Sequence, residues 1–378
     1  MKIAIVLNTS WNIYNFRMGL VKALLKEGHE VVTVAPEDEF SPLLVEAGCQ
    51  YEKVTMDSRG ASPLKDFGLL LELRRIYKRT APDVVLHFTI KPNIYGTVAA
   101  ATLGIPSINN VSGLGTVFLK DNLVNRIAIG LYRAVFRLPK LVFFQNKHDL
   151  NLFLEKRLVK KQITGLLPGS GIALDHFIPS KFELHKPFTF LMISRLIYDK
   201  GVLEYVEAAK KLRAKGLKAR FQLLGAKDPK HKRGISTEQI DQWIAEGDIE
   251  YLGTSKDVRE NINKSDCVVL PSYREGTPRT LLEAASLCKP IVATDVPGCT
   301  NVVTDNVNGF LCKAKDAHDL ASKMEMMLKA ETEQISEMGE NGRRIVEERF
   351  DERIVIEKYL AAVEKQALVA GNLAVSEY

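Results

Sequence analysis

The chain has 378 residues and a formal charge of +6, with 46% hydrophobic and 26% charged residues. That length suggests two domains, each able to bury its own core, and the composition excludes a disordered, collagenous or coiled-coil chain. No run of 18 apolar residues occurs and the five cysteines are widely spaced without a C-x-x-C pair, which argues against a spanning helix, a disulfide frame and a zinc site and makes a reducing cytoplasm the simplest compartment.

From the N-terminus, Met1 to Asn8 is too short and too quickly polar for a signal peptide, so Ile3–Leu7 is expected as a first strand. A helix over Phe16–Lys26 closed by Gly28, a strand over Glu30–Ala35, a helix over Leu64–Lys78, a strand over Val84–His87, a helix over Asn93–Leu103 and strands over Ser107–Val111 and Leu141–Gln145 follow. Short apolar strands alternating with helices predict a parallel sheet covered on both faces. Residues 1–180 carry 22 Lys and Arg against 15 Asp and Glu, whereas 181–378 carry 30 against 31. The excess concentrates in 120–161, where Asn122–Lys140 reads as a basic amphipathic helix with Arg126, Arg133, Arg137 and Lys140 interleaved with Ile129, Tyr132 and Phe136. Such a helix can lie on an anionic membrane or can be a core helix with a solvated face. Nucleic acid is a third partner for it, but no nucleic-acid motif accompanies it.

Leu166–Pro187, with Pro168, Gly169, Gly171, Pro179 and Pro187, reads as a linker. A second series then begins. Strands are expected over Phe188–Ile193, Ala219–Leu224, Ile249–Leu252, Cys267–Leu270, Ile291–Thr294 and Gly309–Leu311, with helices over Val202–Lys215, Thr280–Leu287, Ala317–Lys329, Glu331–Arg349 and Asp351–Leu368. The reading is therefore α/β, with an N-terminal Rossmann-like domain over 1–178, a C-terminal one over 179–350, and a last helix in 351–378 that packs locally or crosses back to the first half. Open parallel sheets of this kind bind ligands beyond the carboxyl ends of their strands.

The most informative stretch is Pro271-Ser-Tyr-Arg-Glu-Gly-Thr-Pro-Arg-Thr-Leu-Leu-Glu283. A strand empties into a loop holding Glu275, and a helix then starts that holds Glu283. The backbone N–H groups of Gly276, Thr277 and the residues after Pro278 make an anion site at the helix start. Two carboxylates beside a phosphate suit sugar hydroxyls, which donate to them; the alternative is a capped helix with two solvated glutamates. A second stretch, Ser194-Arg195-Leu196-Ile197-Tyr198-Asp199-Lys200-Gly201, puts Arg195 and Lys200 at another strand end, where they can neutralise a diphosphate. The acidic pairs lack metal-ligand spacing, so neither a metal nor a bound cofactor is expected.

Glu275–x7–Glu283 with Arg195 and Lys200 upstream resembles glycosyltransferase family 4, and Leu223-Leu224-Gly225, Tyr251-Leu252-Gly253, Leu270-Pro271-Ser272 and Pro290-Ile291-Val292-Ala293-Thr294 add to the resemblance. It implies a GT-B fold with an interdomain cleft and a retaining transfer from a nucleotide sugar. It also implies that Arg195 and Lys200 hold the donor diphosphate, that Glu283 takes the ribose hydroxyls, and that Glu275 faces the transferred sugar, with Gly276 and Thr277 offering backbone N–H groups and Pro278 completing the donor-binding loop. In the first half, Phe16-Arg17-Met18, Lys91-Pro92-Asn93, Ser112-Gly113-Leu114-Gly115-Thr116 and Gly169-Ser170-Gly171-Ile172 resemble the bacterial N-acetylgalactosaminyltransferases that act on undecaprenyl-diphosphate-linked diacetylbacillosamine. The loop Asn8-Thr9-Ser10-Trp11-Asn12 departs from the family in lacking its usual glycine pair.

The expected reaction is transfer of an N-acetylhexosamine, with GalNAc the best choice, from a UDP-sugar to a sugar on undecaprenyl diphosphate, in glycan or glycoprotein precursor assembly. The enzyme would be peripheral on the inner face of the plasma membrane, with Arg126, Arg133 and Arg137 facing the anionic surface. On the acceptor side the resemblance points to Asn15, Arg17, Lys91, Gly113, Gly115 and Thr116; the glycine stretch can cradle a phosphate or make a tight turn. His87 ends a strand, where the resemblance places a residue near the transferred sugar; a buried, hydrogen-bonded histidine is the other reading. A sugar-nucleotide epimerase of the same fold and a non-catalytic nucleotide-binding regulator are the rivals. A dinucleotide dehydrogenase is disfavoured, since no G-x-G-x-x-G follows a strand, and no P-loop is present.

Overall fold

The computed structural model describes residues 1–57, 62–113, 123–229 and 231–375. The chain divides into two compact units, Met1–Gly171 with Glu352–Tyr378, and Ile172–Asp351.

In the first unit the strands are β1 (Lys2–Val6), β2 (Glu30–Ala35), β3 (Gln50–Lys53), β4 (Val84–Phe88), β5 (Ser107–Val111), β6 (Leu141–Phe144) and β7 (Thr164–Leu166). They form one parallel sheet in the order β3-β2-β1-β4-β5-β6-β7, the doubly wound Rossmann arrangement. Both faces are covered, which is why the strands read as nearly continuous apolar runs. Ile3, Ile5 and Leu7 pack in the cluster on one face, while Ala4 and Val6 join Leu69, Leu73 and Tyr77 on the other.

The first helix, Ser10–Lys26, starts well before Phe16 because Thr9 caps it: its extended backbone turns the side chain to accept from Asn12 N at 3.1 Å. This cap carries the chain directly from strand into helix without a glycine pair. The helix buries Ile13, Leu20, Val21 and Leu24 against a cluster that includes Val355, Tyr359 and Val363 of the C-terminal helix Glu352–Val375. Asn110 Nδ2 donates to Tyr359 Oη at 2.7 Å, tying that helix to β5.

Two expectations are corrected in this half. The basic helix spans Leu123–Val135 rather than reaching Lys140, since Pro139 disfavours helical backbone at the residue before it and the chain leaves through a turn in which Leu138 N donates to Val135 O. The segment after Leu166 is not a bare linker. Ile172, Leu174 and Phe177 are buried in the second unit's core, so the chain changes unit after Gly171, ahead of position 178.

The second unit repeats the plan. Its strands β8 (Phe188–Ile193), β9 (Ala219–Leu224), β10 (Glu250–Tyr251), β11 (Cys267–Leu270), β12 (Ile291–Thr294) and β13 (Gly309–Cys312) form a parallel sheet in the order β10-β9-β8-β11-β12-β13. Phe188, Phe190 and Met192 of β8 face one core cluster and Leu191 the other. Every strand of each sheet therefore ends, at its carboxyl terminus, on one edge of that unit.

Candidate active site

At the carboxyl edge of the second sheet, the loops leaving β8 and β11 are pressed together. Gly201 has φ +75°, and a Cβ there would lie 2.1 Å from the carbonyl oxygen of Pro271, so only glycine permits this approach. Tyr273 N donates to Asp199 O at 2.9 Å, and Ser272 Oγ donates to the same carbonyl at 3.2 Å. Thr280 Oγ1, in the first turn of the helix Arg279–Ser286, donates to Ile193 O at the end of β8. The two sequence stretches singled out for chemistry are thus one constellation.

Within it, Lys200 Nζ donates to Glu275 Oε1 in a largely buried ion pair across the two loops. Arg195 is exposed and makes no ion pair among the described residues. Pro278 is the N-cap residue of the helix Arg279–Ser286, so the N–H groups at its start lack helical acceptors and present partial positive charge, with Gly276 and Thr277 leading into it. Glu283 lies one turn inside and accepts from Arg279 Nε at 3.0 Å. Burial pushes its carboxyl up from the ordinary glutamate range, while the Arg279 guanidinium opposes that shift. Cationic groups, a helix start and two largely buried carboxylates suit a ligand carrying phosphates and hydroxyl groups.

Two further charged residues belong here. Arg279 was legible as an i,i+4 partner of Glu283 once the helix is drawn. Arg233, whose Nε donates to Asp199 Oδ1 at 2.7 Å and holds the β8 loop, comes from a stretch without periodicity and left no signal. Among the described residues, no three His, Cys, Asp or Glu side chains cluster to hold a metal ion. A cavity of about 870 Å³ opens elsewhere, at the amino ends of β8 and β9, lined by Phe188, Ala219, Arg220 and Glu250.

The first unit places its predicted residues differently. His87, at the end of β4, has no exposed surface. Its Nε2 is 2.9 Å from Tyr77 Oη and its Nδ1 3.1 Å from Asn109 Oδ1, and burial pushes its pKa down to about 4. This packing favours the buried, hydrogen-bonded reading of His87 over contact with a sugar. Arg17 is also buried, its guanidinium 4.6 Å over the Phe88 ring. Lys91 pairs with Asp66 at 2.8 Å, and Asn15 Nδ2 donates to Trp11 O within its own helix. Gly113 is described, with open space around it, whereas Gly115 and Thr116 lie outside the described residues. Arg133 and Arg137 are exposed; the Arg126 side chain is not among those described.

Comparison with known proteins agrees with this geometry. The family model "Glycosyl transferases group 1" matches residues 175–345, and "Glycosyl transferase 4-like" matches residues 2–146. The N,N'-diacetylbacillosaminyl-diphospho-undecaprenol alpha-1,3-N-acetylgalactosaminyltransferase of Campylobacter jejuni is 29% identical over 95% of this chain and 97% of its own. The UDP-Gal:alpha-D-GlcNAc-diphosphoundecaprenol alpha-1,3-galactosyltransferase of Escherichia coli is 25% identical over 68% and 69%. Among solved structures, a glycosyltransferase from Rickettsia africae superposes with a TM-score of 0.79 at 20% identity, over 97% of this chain and 98% of its own. Anabaena HepE, solved in complex with UDP and glucose, gives 0.77 at 19% identity, over 97% and 99%.

Proposed function

Since the chain belongs to the family 4 glycosyltransferases of GT-B fold, we propose that it moves an N-acetylhexosamine, GalNAc first among the choices, from a UDP-sugar to a sugar carried on undecaprenyl diphosphate. The observation that carries this reading is the meeting of Lys200 and Glu275 across two strand-end loops, beside Arg195 and the start of the helix Arg279–Ser286. The Campylobacter relative, similar along nearly the whole chain, supports the choice of acceptor and sugar.

In this mechanism the donor diphosphate competes with Glu275 for Lys200. Glu275, released, accepts from hydroxyls of the transferred sugar, and Glu283 accepts from those of the ribose. As the bond from the anomeric carbon to UDP lengthens, negative charge grows on the β-phosphate. Lys200, Arg195 and the helix start interact with that charge more strongly in the transition state than before it, which is what lowers the barrier. The acceptor hydroxyl enters on the leaving group's face and gives its proton to the departing phosphate oxygen, so configuration is retained. No metal is assigned a step.

The test is a screen of UDP-sugars against a polyprenyl-diphosphate-linked sugar, with anomeric configuration and linkage read by NMR. One new α-linked N-acetylhexosamine per acceptor is expected. Epimerised UDP-sugar formed without acceptor, or UDP binding without any turnover, would overturn the reading.

A further inference from the structure

We propose that the outward face of the helix Pro63–Thr80 is a docking surface for an anionic lipid bilayer. The helix buries Leu69, Leu73, Ile76 and Tyr77 against the first sheet, as an amphipathic helix should. Its other face is not polar. Leu64 is 88% exposed, Phe67 60% and Leu71 38%, and these positions, with Gly68 between them, share one side of the helix over its first two turns. The same stripe continues through Arg75 and Lys78, both exposed and without an ion-pair partner among the described residues.

Charge on this helix is sorted in the same sense. Its two carboxylates are turned away from the stripe: Asp66 is buried and paired with Lys91, and Glu72 accepts from Thr55 N at 3.1 Å. The outward face therefore shows apolar side chains at one end and cations at the other. An anionic bilayer satisfies both ends, since its interfacial region takes the apolar side chains and its headgroups face the cations. A second copy of the chain docking face to face would offer Arg75 and Lys78 no carboxylate from its own stripe, since both carboxylates of the helix are turned away from it. The helix Leu123–Val135 packs against the same segment, Pro92–Gly96, as Pro63–Thr80 does, and it exposes Ile127 and Arg133. Both helices belong to the same unit.

This inference deepens the proposed function, in which the acceptor is lipid-linked, and its test separates the two. Full-length protein is floated with vesicles of phosphatidylglycerol and phosphatidylethanolamine, and with vesicles of phosphatidylcholine alone. The parent chain is expected to float with the anionic vesicles only, Leu64→Asp/Phe67→Asp to lose at least about tenfold in partitioning, and Arg75→Glu/Lys78→Glu to lose about tenfold or more. Leu64→Ser/Phe67→Ser, a milder change at exposed positions, should reproduce the first loss with an unaltered melting temperature. Transfer to a water-soluble, short-chain acceptor should be the same in all variants. Loss of flotation in the variants of a protein that transfers no sugar would overturn the proposed function and leave this surface standing. Undiminished flotation of the variants, no flotation of the parent, or a dimer dissolved by Leu64→Asp/Phe67→Asp with vesicle binding intact would each overturn the docking surface.

Discussion

Lys200 and Glu275 have opposite expected roles despite being one ion pair. In the proposed mechanism a phosphate takes Lys200 from Glu275, so removing each partner should affect different steps. Lys200→Ala is expected to weaken UDP binding in calorimetry and to lower kcat/KM by about 10²–10³, the range for a lost preorganised donor to developing charge. Glu275→Gln should hold UDP at least as tightly, because Lys200 loses its competitor, yet should lose turnover of the UDP-sugar. His87 makes a separate prediction about stability. Its pKa is about 4 when folded against about 6.5 in the unfolded chain, so the unfolded state binds more protons between these values. Stability is thus fully present above pH 6.5 and declines as pH falls towards 4, by about 3 kcal/mol from this group. In His87→Gln that part of the acid sensitivity should vanish, as read from urea midpoints at pH 7 and pH 4.5.

At the scale of elements, the packing of the β8 and β11 loops turns on backbone that only glycine can supply. Gly201 and Gly216 both have φ +75°, but a Cβ at Gly201 meets the Pro271 carbonyl whereas one at Gly216 meets nothing within 4 Å. Both alanine substitutions incur the left-handed penalty of about 1–2 kcal/mol, and only Gly201→Ala must also push two loops apart. Gly201→Ala should therefore lower the melting temperature well below that of Gly216→Ala and impair UDP binding, which Gly216→Ala should leave intact. Strand periodicity made this architecture legible: buried β1, β8 and β11 announce themselves as short apolar runs, and the helix Ala317–Lys329 was bounded in advance by its own pattern. The meeting of the two loops was legible because Arg195, Lys200, Glu275 and Glu283 all sit at strand ends or one turn beyond. What stayed hidden was decided by tertiary contact. The sequence distinguishes neither a histidine held by Tyr77 and Asn109 from one facing a ligand, nor Arg17 lying over Phe88 from a surface arginine. The strands Gln50–Lys53 and Thr164–Leu166 escaped notice because they are edge strands with few apolar residues.

For the whole molecule, the chain's return to its first unit has an energetic consequence. Val355, Tyr359, Ala362 and Val363 of the C-terminal helix belong to the same buried cluster as Ile3, Ile5 and Leu20, and Lys358 Nζ donates to Leu166 O at 2.9 Å. A buried side chain of valine size or larger contributes about 1.5–3 kcal/mol, so Val355, Tyr359 and Val363 alone supply an amount comparable to a domain's entire net stability of about 5–15 kcal/mol. Among the described residues, the core clusters of the second unit contain none beyond Phe350. Ending the chain after Asp351 should therefore abolish the cooperative unfolding of the first unit while leaving that of the second. Calorimetry of residues 1–351 is expected to show a single transition, with dye-binding apolar surface exposed at room temperature, where the full chain shows both units unfolding. Tyr359→Phe refines the same prediction, since it keeps the ring and removes only the hydroxyl that accepts from Asn110 Nδ2. It should cost about 1–3 kcal/mol, the penalty for leaving a buried amide donor unmatched, and the loss should fall on the first unit's transition alone.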